Sequence, residues 1–238
     1  KMISIIIPAK NGPAAMLELG VKFLISYFIG SIMGAMVMGK LRGGVDIRTM
    51  GSGNAGGTNA LRTQGVLFAL GVIIIDIGKG VIGAGVVPEL NIPLVPQDPT
   101  VSRTWLTLCC AAAAVLGHVW PIFHDFKGGK GAGTFIGTLI VLAPKVIIGV
   151  VFVWISIVII FGYVGLATMT AAVALPIYLS FGMMLEEQPL FIYATIMAMC
   201  IIFWHRLNIR RMRDRSEYRN TRLMIFRRKK SGSSHDQS

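Results

Sequence analysis

Three polar stretches in an otherwise apolar chain carry residue types that could do chemistry. The first runs Gly51-Ser52-Gly53-Asn54-Ala55-Gly56-Gly57-Thr58-Asn59-Ala60-Leu61-Arg62, with four glycines, four hydrogen-bonding side chains and one arginine in twelve residues. Glycine permits positive φ and close backbone approach, so such a run can wrap N–H groups around an anion. Ser52, Asn54, Thr58 and Asn59 add donors, and an arginine such as Arg62 can grip a phosphate through two parallel N–H bonds. The second stretch, Phe126-Lys127-Gly128-Gly129-Lys130-Gly131, leads directly into an apolar run. A helix starting there would offer open N–H groups beside two lysines, which is an anion site; a lysine pair on a flexible turn is the plainer alternative. The third, Trp204-His205-Arg206-Leu207-Asn208-Ile209-Arg210-Arg211, closes the last apolar run. His205 and Asn208 are three apart and share a helical face, with Arg211 on nearly the same face. A histidine at a helix end also serves as a dipole-favoured cap, but Asn208 and two further polar loops point to a functional role. The shared theme is anion recognition beside lipid, which fits a phosphorylated substrate with an apolar part.

Other chemistries find no purchase. Gly51-Ser52-Gly53-Asn54-Ala55-Gly56 has the letters of a dinucleotide fingerprint, but that motif needs a preceding strand in a βαβ unit, and here an apolar span precedes it. Lys130 is not followed by Ser or Thr, so the second stretch is no Walker loop. The sequence offers no Ser-His-Asp arrangement, no paired carboxylates, and no His-x-x-x-x-Asp: the fifth residue after His118, His124 and His205 is Phe123, Gly129 and Arg210. Cys109, Cys110 and Cys200 sit in apolar runs without metal-ligand spacing and read as small buried hydrophobes. Neither a metal nor a cofactor is expected.

The elements that must position these stretches are membrane spans. Only 14% of residues are charged, against about 25% in a soluble domain. The expected spans are Val21–Met38, Val66–Val87, Trp105–Trp120, a short Gly131–Leu142, Val146–Phe161, Val164–Met184 and Pro189–Trp204, with a weak break at Gly162. Small residues at four-residue spacing in the first span (Gly30, Gly34, Ala35, Gly39) suit close helix packing in lipid. The second carries Asp76 and Lys79 on one face, expensive groups at that depth that need partners. Residues 88–104, with four prolines, read as a loop. Eleven Lys and Arg follow His205; with no nucleic-acid-binding signature beside them they read as a topogenic, lipid-facing tail. Seven spans place seventeen basic residues on the side of the three polar stretches and five on the other. The positive-inside rule then puts the N-terminus outside and the polar stretches in the cytoplasm. The expectation is an all-α integral membrane protein: a bundle of about seven transmembrane helices with cytoplasmic glycine-rich loops. It forms one membrane domain over 1–238, with an unassigned segment 1–15 and a basic tail 213–238.

At these residues the chain resembles the bacterial membrane acyltransferases of the PlsY type, which use acyl phosphate to acylate glycerol 3-phosphate. Gly51-Ser52-Gly53-Asn54-x-Gly56-x-Thr58-Asn59-x-x-Arg62 is similar to that family's first motif. Gly117-His118-x-x-Pro121 with Phe126 to Gly131 is similar to the second, and His205-Arg206-x-Asn208-Ile209-x-Arg211 to most of the third. Asp76-x-x-Lys79-Gly80 also looks like the family's second-helix pattern. Three positions depart from it: Gly57 stands for the usual alanine, Met212 for leucine, and Arg215 for glycine ahead of Glu217.

The resemblance implies an enzyme of the bacterial inner membrane, working at its cytoplasmic face. It implies glycerol 3-phosphate contacts at Arg62, Lys130, His205 and Asn208, acyl-phosphate contacts at Gly128, Gly129 and Gly131, and an essential Ser52. We add Ser52, Asn54, Gly56, Thr58, Asn59 and Lys127 to the acyl-phosphate set, place His205 and Asn208 with Ser52 in the catalytic set, and give Asp76, Lys79 and Glu217 structural roles. Acyl phosphate is a mixed anhydride with a good leaving group, so the main need is donors for a developing oxyanion, which Ser52, Asn54 and glycine amides could supply. The attacking hydroxyl needs a base: His205, or a phosphate oxygen of a substrate. With no activated nucleophile in view, direct transfer is expected. The alternative is an organic-phosphate transporter or exchanger with Asp76 and Lys79 in its pathway. Such proteins commonly show internal repeats, and none is found.

Overall fold

The computed structural model describes residues 13–181, 188–221 and 223–225. The segment 1–12, the end of the sixth expected span beyond residue 181, and the tail beyond residue 225 lie outside the described residues. The helices are α1 (Pro13–Gly30), α2 (Gly34–Leu41), α3 (Gly57–Gln64), α4 (Val66–Val81), α5 (Arg103–Val119), α6 (Ala132–Leu142), α7 (Ile147–Phe161), α8 (Val164–Phe181), α9 (Gln188–Trp204) and α10 (Arg206–Arg213). No strand occurs among the described residues. Four continuous segments are long and apolar enough to cross a membrane: α4 with its extension to Glu89, α5 with its extension to His124, α7 with the turn before it, and α8. The bent pairs α1–α2 and α9–α10 raise the number to six. With eleven residues, α6 spans about 16 Å, half of a hydrocarbon core about 30 Å thick.

Most boundaries follow local chemistry. Gly162 takes φ +77 and its N–H closes α7 on the Val158 carbonyl at 2.8 Å, separating α7 from α8. Gly65, at φ +85, separates α3 from α4. α1 packs on α5, α4 on α6, and α8 on both α7 and α9. The α1–α5 contact requires glycine: a Cβ at Gly30 would overlap the Ala114 carbonyl, and one at Gly117 the Tyr27 carbonyl. That is the small-residue contact expected of helices packing in lipid.

The first expected span is not one helix. It breaks at Ser31–Met33 and bends by 42°. A break in apolar surroundings leaves backbone groups unpaired, at a cost of several kcal/mol each. Asp76 and Lys79 answer it. The Gly34 N–H donates to Asp76 Oδ1 at 3.2 Å, and Lys79 Nζ donates to the Ile32 carbonyl at 2.8 Å. The two side chains pair at 3.2 Å and are almost fully buried. The intramembrane charges therefore stitch the break from the neighbouring helix.

The two ends of the bundle differ. At one, Glu18 and Lys22 are buried and paired at 2.9 Å, and Arg103 grips Glu18 with bonds of 2.6 and 2.9 Å. Lys22 also donates to the Pro88 carbonyl and the Asp98 N–H to Glu18, so this cluster ties down the proline-rich loop. At the other end the loops after α2, α5 and α7 meet the segment after α9. Arg48 reaches the carbonyls of His124 and Lys127, Lys130 reaches Asn208, and the Asn220 N–H reaches the Gly162 carbonyl at 2.8 Å.

Candidate active site

The first polar stretch is shaped by one amide. Asn59 Nδ2 donates to the carbonyls of Ile47 and Met50 at 2.9 and 3.0 Å, and its Oδ1 accepts the Ser52 N–H at 2.9 Å. These bonds fold residues 47–59 back on themselves and bring Ser52 and Asn54 beside the N-terminus of α3, which starts at Gly57. Arg62, in the last turn of α3, lies half-buried with its guanidinium 3.9 Å from the ring centroid of Tyr218. Burial pulls its pKa below the ordinary arginine value, although Glu217 and Tyr218 favour the cation.

Lys130 belongs to the second polar stretch and donates to Asn208 Oδ1. The other end of that amide donates to Glu217 Oε1 at 2.9 Å, while Arg211 Nε donates to Glu217 Oε2 at 2.9 Å. Glu217 thus fixes which way the Asn208 amide faces: oxygen toward Lys130, nitrogen toward itself. Burial brings the Lys130 pKa down to about 8, with Arg211 and Arg62 adding to the fall and Glu217 opposing it. His205 stands at the bend between α9 and α10, where the chain turns by 52°. Its Nδ1 lies 2.8 Å from the Ile201 carbonyl. A carbonyl only accepts, so Nδ1 carries the proton and the neutral ring leaves a lone pair on Nε2.

These groups surround one cavity of about 330 Å³. Ser52, Asn54, Gly56, Thr58, Asn59 and Arg62 line it, together with Lys130, His205, Asn208 and Glu217. Much of its remaining wall is apolar and comes from α6, α7 and α8, with Phe135, Ile136, Val150, Val151, Trp154 and Ala172, joined by Ile73 and Ile77 of α4. Val158 is the one buried residue of α7, and Ile148, Phe152 and Ile155 are exposed, so this helix carries the wall to the lipid-facing side of the bundle. A cavity with cations and amides at one end and a hydrocarbon wall at the other suits an amphiphile with an anionic head.

The structure gathers residues of all three stretches, but not every one expected. Lys127, Gly128, Gly129 and Gly131 are absent from the lining. The N–H groups of Gly128 and Gly129 donate to the carbonyls of Val119 and His118 at 3.2 and 3.1 Å, so they serve the end of α5. The Lys127 N–H donates to the His124 carbonyl at 3.0 Å. Asn59 reaches the cavity with its amide engaged by its own loop. Asp76 lines the cavity while Lys79 does not. Two contributors were not singled out from sequence. His118 was seen only as a motif letter, yet its Nδ1 lies 3.4 Å from Asp76 Oδ1. Trp154 donates to Thr168 Oγ1 at 3.2 Å, and nothing in an evenly apolar run marks it out.

Comparison with known proteins gives a consistent picture. The glycerol-3-phosphate acyltransferase family matches residues 21–215. A glycerol-3-phosphate acyltransferase of Pelodictyon phaeoclathratiforme is 38% identical over 230 residues, covering 87% of this chain and 98% of that one. Another, from Salinibacter ruber, is 38% identical over 214 residues, covering 85% and 92%. Among solved structures, the integral membrane glycerol 3-phosphate acyltransferase PlsY in its glycerol 3-phosphate form superposes with a TM-score of 0.70 at 30% identity, covering 87% of this chain and 96% of that one. Its lysophosphatidic acid form superposes with a TM-score of 0.69.

Proposed function

The chain belongs to the glycerol-3-phosphate acyltransferase family, as a membrane protein of the PlsY type, and from that premise we propose the reaction. The enzyme transfers a fatty acyl group from acyl phosphate to the sn-1 hydroxyl of glycerol 3-phosphate, giving lysophosphatidic acid and phosphate. The observation that carries this reading is the cavity itself. Arg62 and Lys130 share it with Asn208, His205, Ser52 and Asn54, and much of its remaining wall is hydrocarbon.

Each part has a task. Arg62 and Lys130 hold the phosphate of glycerol 3-phosphate, Arg62 by its planar fork and Lys130 by the N–H groups left after Asn208. Ser52, Asn54 and the N-terminus of α3 receive the head of the acyl phosphate, where helix dipole and backbone N–H groups favour an anion. The acyl chain lies along the wall of α6 to α8. The glycerol oxygen attacks the acyl carbon, the new C–O bond forms as the bond to the phosphate oxygen breaks, and phosphate leaves with that electron pair. The hydroxyl proton passes to His205 Nε2 or to a phosphate oxygen. No acyl-enzyme forms; trapping an acyl adduct on Ser52 would overturn this. The basic residues clustered at this end of the bundle put it in the cytoplasm by the positive-inside rule, so the site faces the cytoplasmic side of a bacterial inner membrane.

The decisive assay mixes purified protein with palmitoyl phosphate and glycerol 3-phosphate in detergent and follows phosphate release. The expected result is release that depends on both substrates and is lost in Ser52→Ala. Release no greater than in Ser52→Ala sinks the enzyme reading, and uptake of glycerol 3-phosphate into sealed vesicles without turnover would favour transport.

A further inference from the structure

The reaction described above leaves His118 without a task. It is 3% exposed, it lines the cavity, and its Nδ1 stands 3.4 Å from Asp76 Oδ1 with no closer partner among the described residues. Asp76 is itself fixed, by Lys79 at 3.2 Å and by the Gly34 N–H. The Gly128–Gly129 turn lies against the Nε2 edge of the imidazole. A Cβ on Gly129 would overlap His118 Nε2 and stand 2.9 and 3.1 Å from Cε1 and Cδ2. A Cβ on Gly128 would overlap the His118 carbonyl and stand 2.6 Å from Pro121 Cδ. Both N–H groups of the turn bond to α5 carbonyls. The turn therefore abuts one histidine, at its ring edge and its carbonyl, and the next residue is Lys130.

We propose that His118 is a positioning residue: its ring, held by Asp76, seats the Gly128–Gly129 turn and so fixes where Lys130 presents its ammonium to the cavity. The two glycines are then required by contact with the seat and not by contact with an anion. The path runs from the stitched break between α1 and α2, through Asp76 on α4 and His118 on α5, to Lys130 and its bond to Asn208. Side chains packed this closely pass a displacement on to their neighbours, and a shift of about 1 Å in a positioning group costs on the order of a hundredfold in rate. The seating is independent of which phosphate Lys130 binds. Naming that phosphate as glycerol 3-phosphate's rests on the function proposed above.

The test is a double-mutant cycle with phosphate release as readout. Wild type, Gly129→Ala, His118→Ala and the double variant are compared, with Lys130→Ala as the reference for which Michaelis constant Lys130 controls. Gly129→Ala is expected to raise the KM for glycerol 3-phosphate about tenfold, the parameter that Lys130→Ala raises, with a smaller change in kcat. In the His118→Ala background the same alanine should cost less than about twofold, because the ring it overlaps has gone. An equal cost in both backgrounds overturns the proposal, and so does a fall in kcat with both KM values unchanged. If Gly129→Ala alone does not fold, recovery of folded, active protein on adding His118→Ala supports the seat, and failure in both backgrounds refutes it. If Lys130→Ala and Gly129→Ala together raise the KM for palmitoyl phosphate instead, the seat stands and the substrate assignment of Lys130 falls.

Discussion

Replacing Glu217 by glutamine removes one negative charge from the cavity wall and keeps the shape. With its Oε1 accepting from Asn208 Nδ2, as the carboxylate does at 2.9 Å, the glutamine keeps the Asn208 oxygen toward Lys130, while its NH2 faces Arg211 Nε and that bond is lost. Lost with it is the carboxylate that raises the Lys130 pKa, which burial, Arg211 and Arg62 already hold down to about 8. The Glu217 charge lies one amide away from the ammonium, through Asn208. At an effective dielectric of about 20 a separation on the order of 7 Å is worth about 2 kcal/mol, and screening at a partly exposed lysine takes off roughly half, leaving nearly one pH unit. The sign follows from the lowered pKa. The ammonium is present below about pH 8 and is lost as pH rises, so removing Glu217 moves that loss to lower pH. The measurement is kcat/KM for glycerol 3-phosphate at saturating palmitoyl phosphate, across neutral to alkaline pH. Wild type should fall through about pH 8, and Glu217→Gln should fall about one unit earlier while matching wild type in mild acid. A descending limb at the same pH in both proteins would refute the link from Glu217 to Lys130. Uniform loss at every pH would mean that Glu217 acts through structure alone.

Arg215 sits at φ +56 just beyond α10, where its N–H bonds to the Met212 carbonyl and the Ser216 N–H to the Arg211 carbonyl. That is a helix-ending motif usually filled by glycine, so Arg215→Gly should raise stability by up to about 1 kcal/mol, read by thermal unfolding in detergent, with activity unchanged. Asn59→Asp swaps two donors for acceptors beside the Ile47 and Met50 carbonyls, and should cost about 2 kcal/mol or more, seen as a lower melting temperature together with lost phosphate release. Arg62→Ala should raise the KM for glycerol 3-phosphate by about ten- to a hundredfold and that for palmitoyl phosphate much less; equal effects would refute the assigned role. Lys79→Met leaves the Asp76 carboxylate buried without its cation and should cost about 3–5 kcal/mol. Asp76→Asn combined with Lys79→Met should cost less than the two single changes added together, by the same unfolding measurement.

The apolar runs gave the helices away, and their ends were legible wherever glycine marks them. Gly162 divides α7 from α8, and α5, α6 and α9 begin and end within two residues of the expected spans. The break at Ser31–Met33 was not legible, because hydropathy summed along Val21–Met38 carries no information on where the backbone pairs. Its cause lies in another helix: Asp76 and Lys79 belong to α4 and serve groups at Gly34 and Ile32. The same limit hid the opposite end of the bundle. Glu18 and Lys22 stand four apart, a local pair any helix reading would notice, but the residue that makes the cluster close is Arg103, 85 positions away.

Within the site, residue types told what each group could offer and not what the protein itself would take. Asn59 and Asn208 were read as substrate ligands, and both have their amides engaged at each end by protein partners. A buried amide has donors and an acceptor to satisfy, and in a wall shared with lipid water does little of that work. Glycine misleads in the same way. Gly128 and Gly129 look like an anion cradle, yet their N–H groups serve α5 and their missing side chains make room for His118. Subtracting these commitments leaves a shorter set. Ser52 and Asn54 line the cavity with no side-chain bond among the described residues. His205 keeps the lone pair on Nε2 that its bond to Ile201 leaves over, and Lys130 keeps the N–H groups that Asn208 does not use. Arg62, held over Tyr218, completes the groups that substrates have to recruit. Substitution of Ser52 or Asn54 should change KM and kcat while leaving the melting temperature nearly untouched. Substitutions at Asn59 or Gly129 should lower the melting temperature or depend on their packing partner.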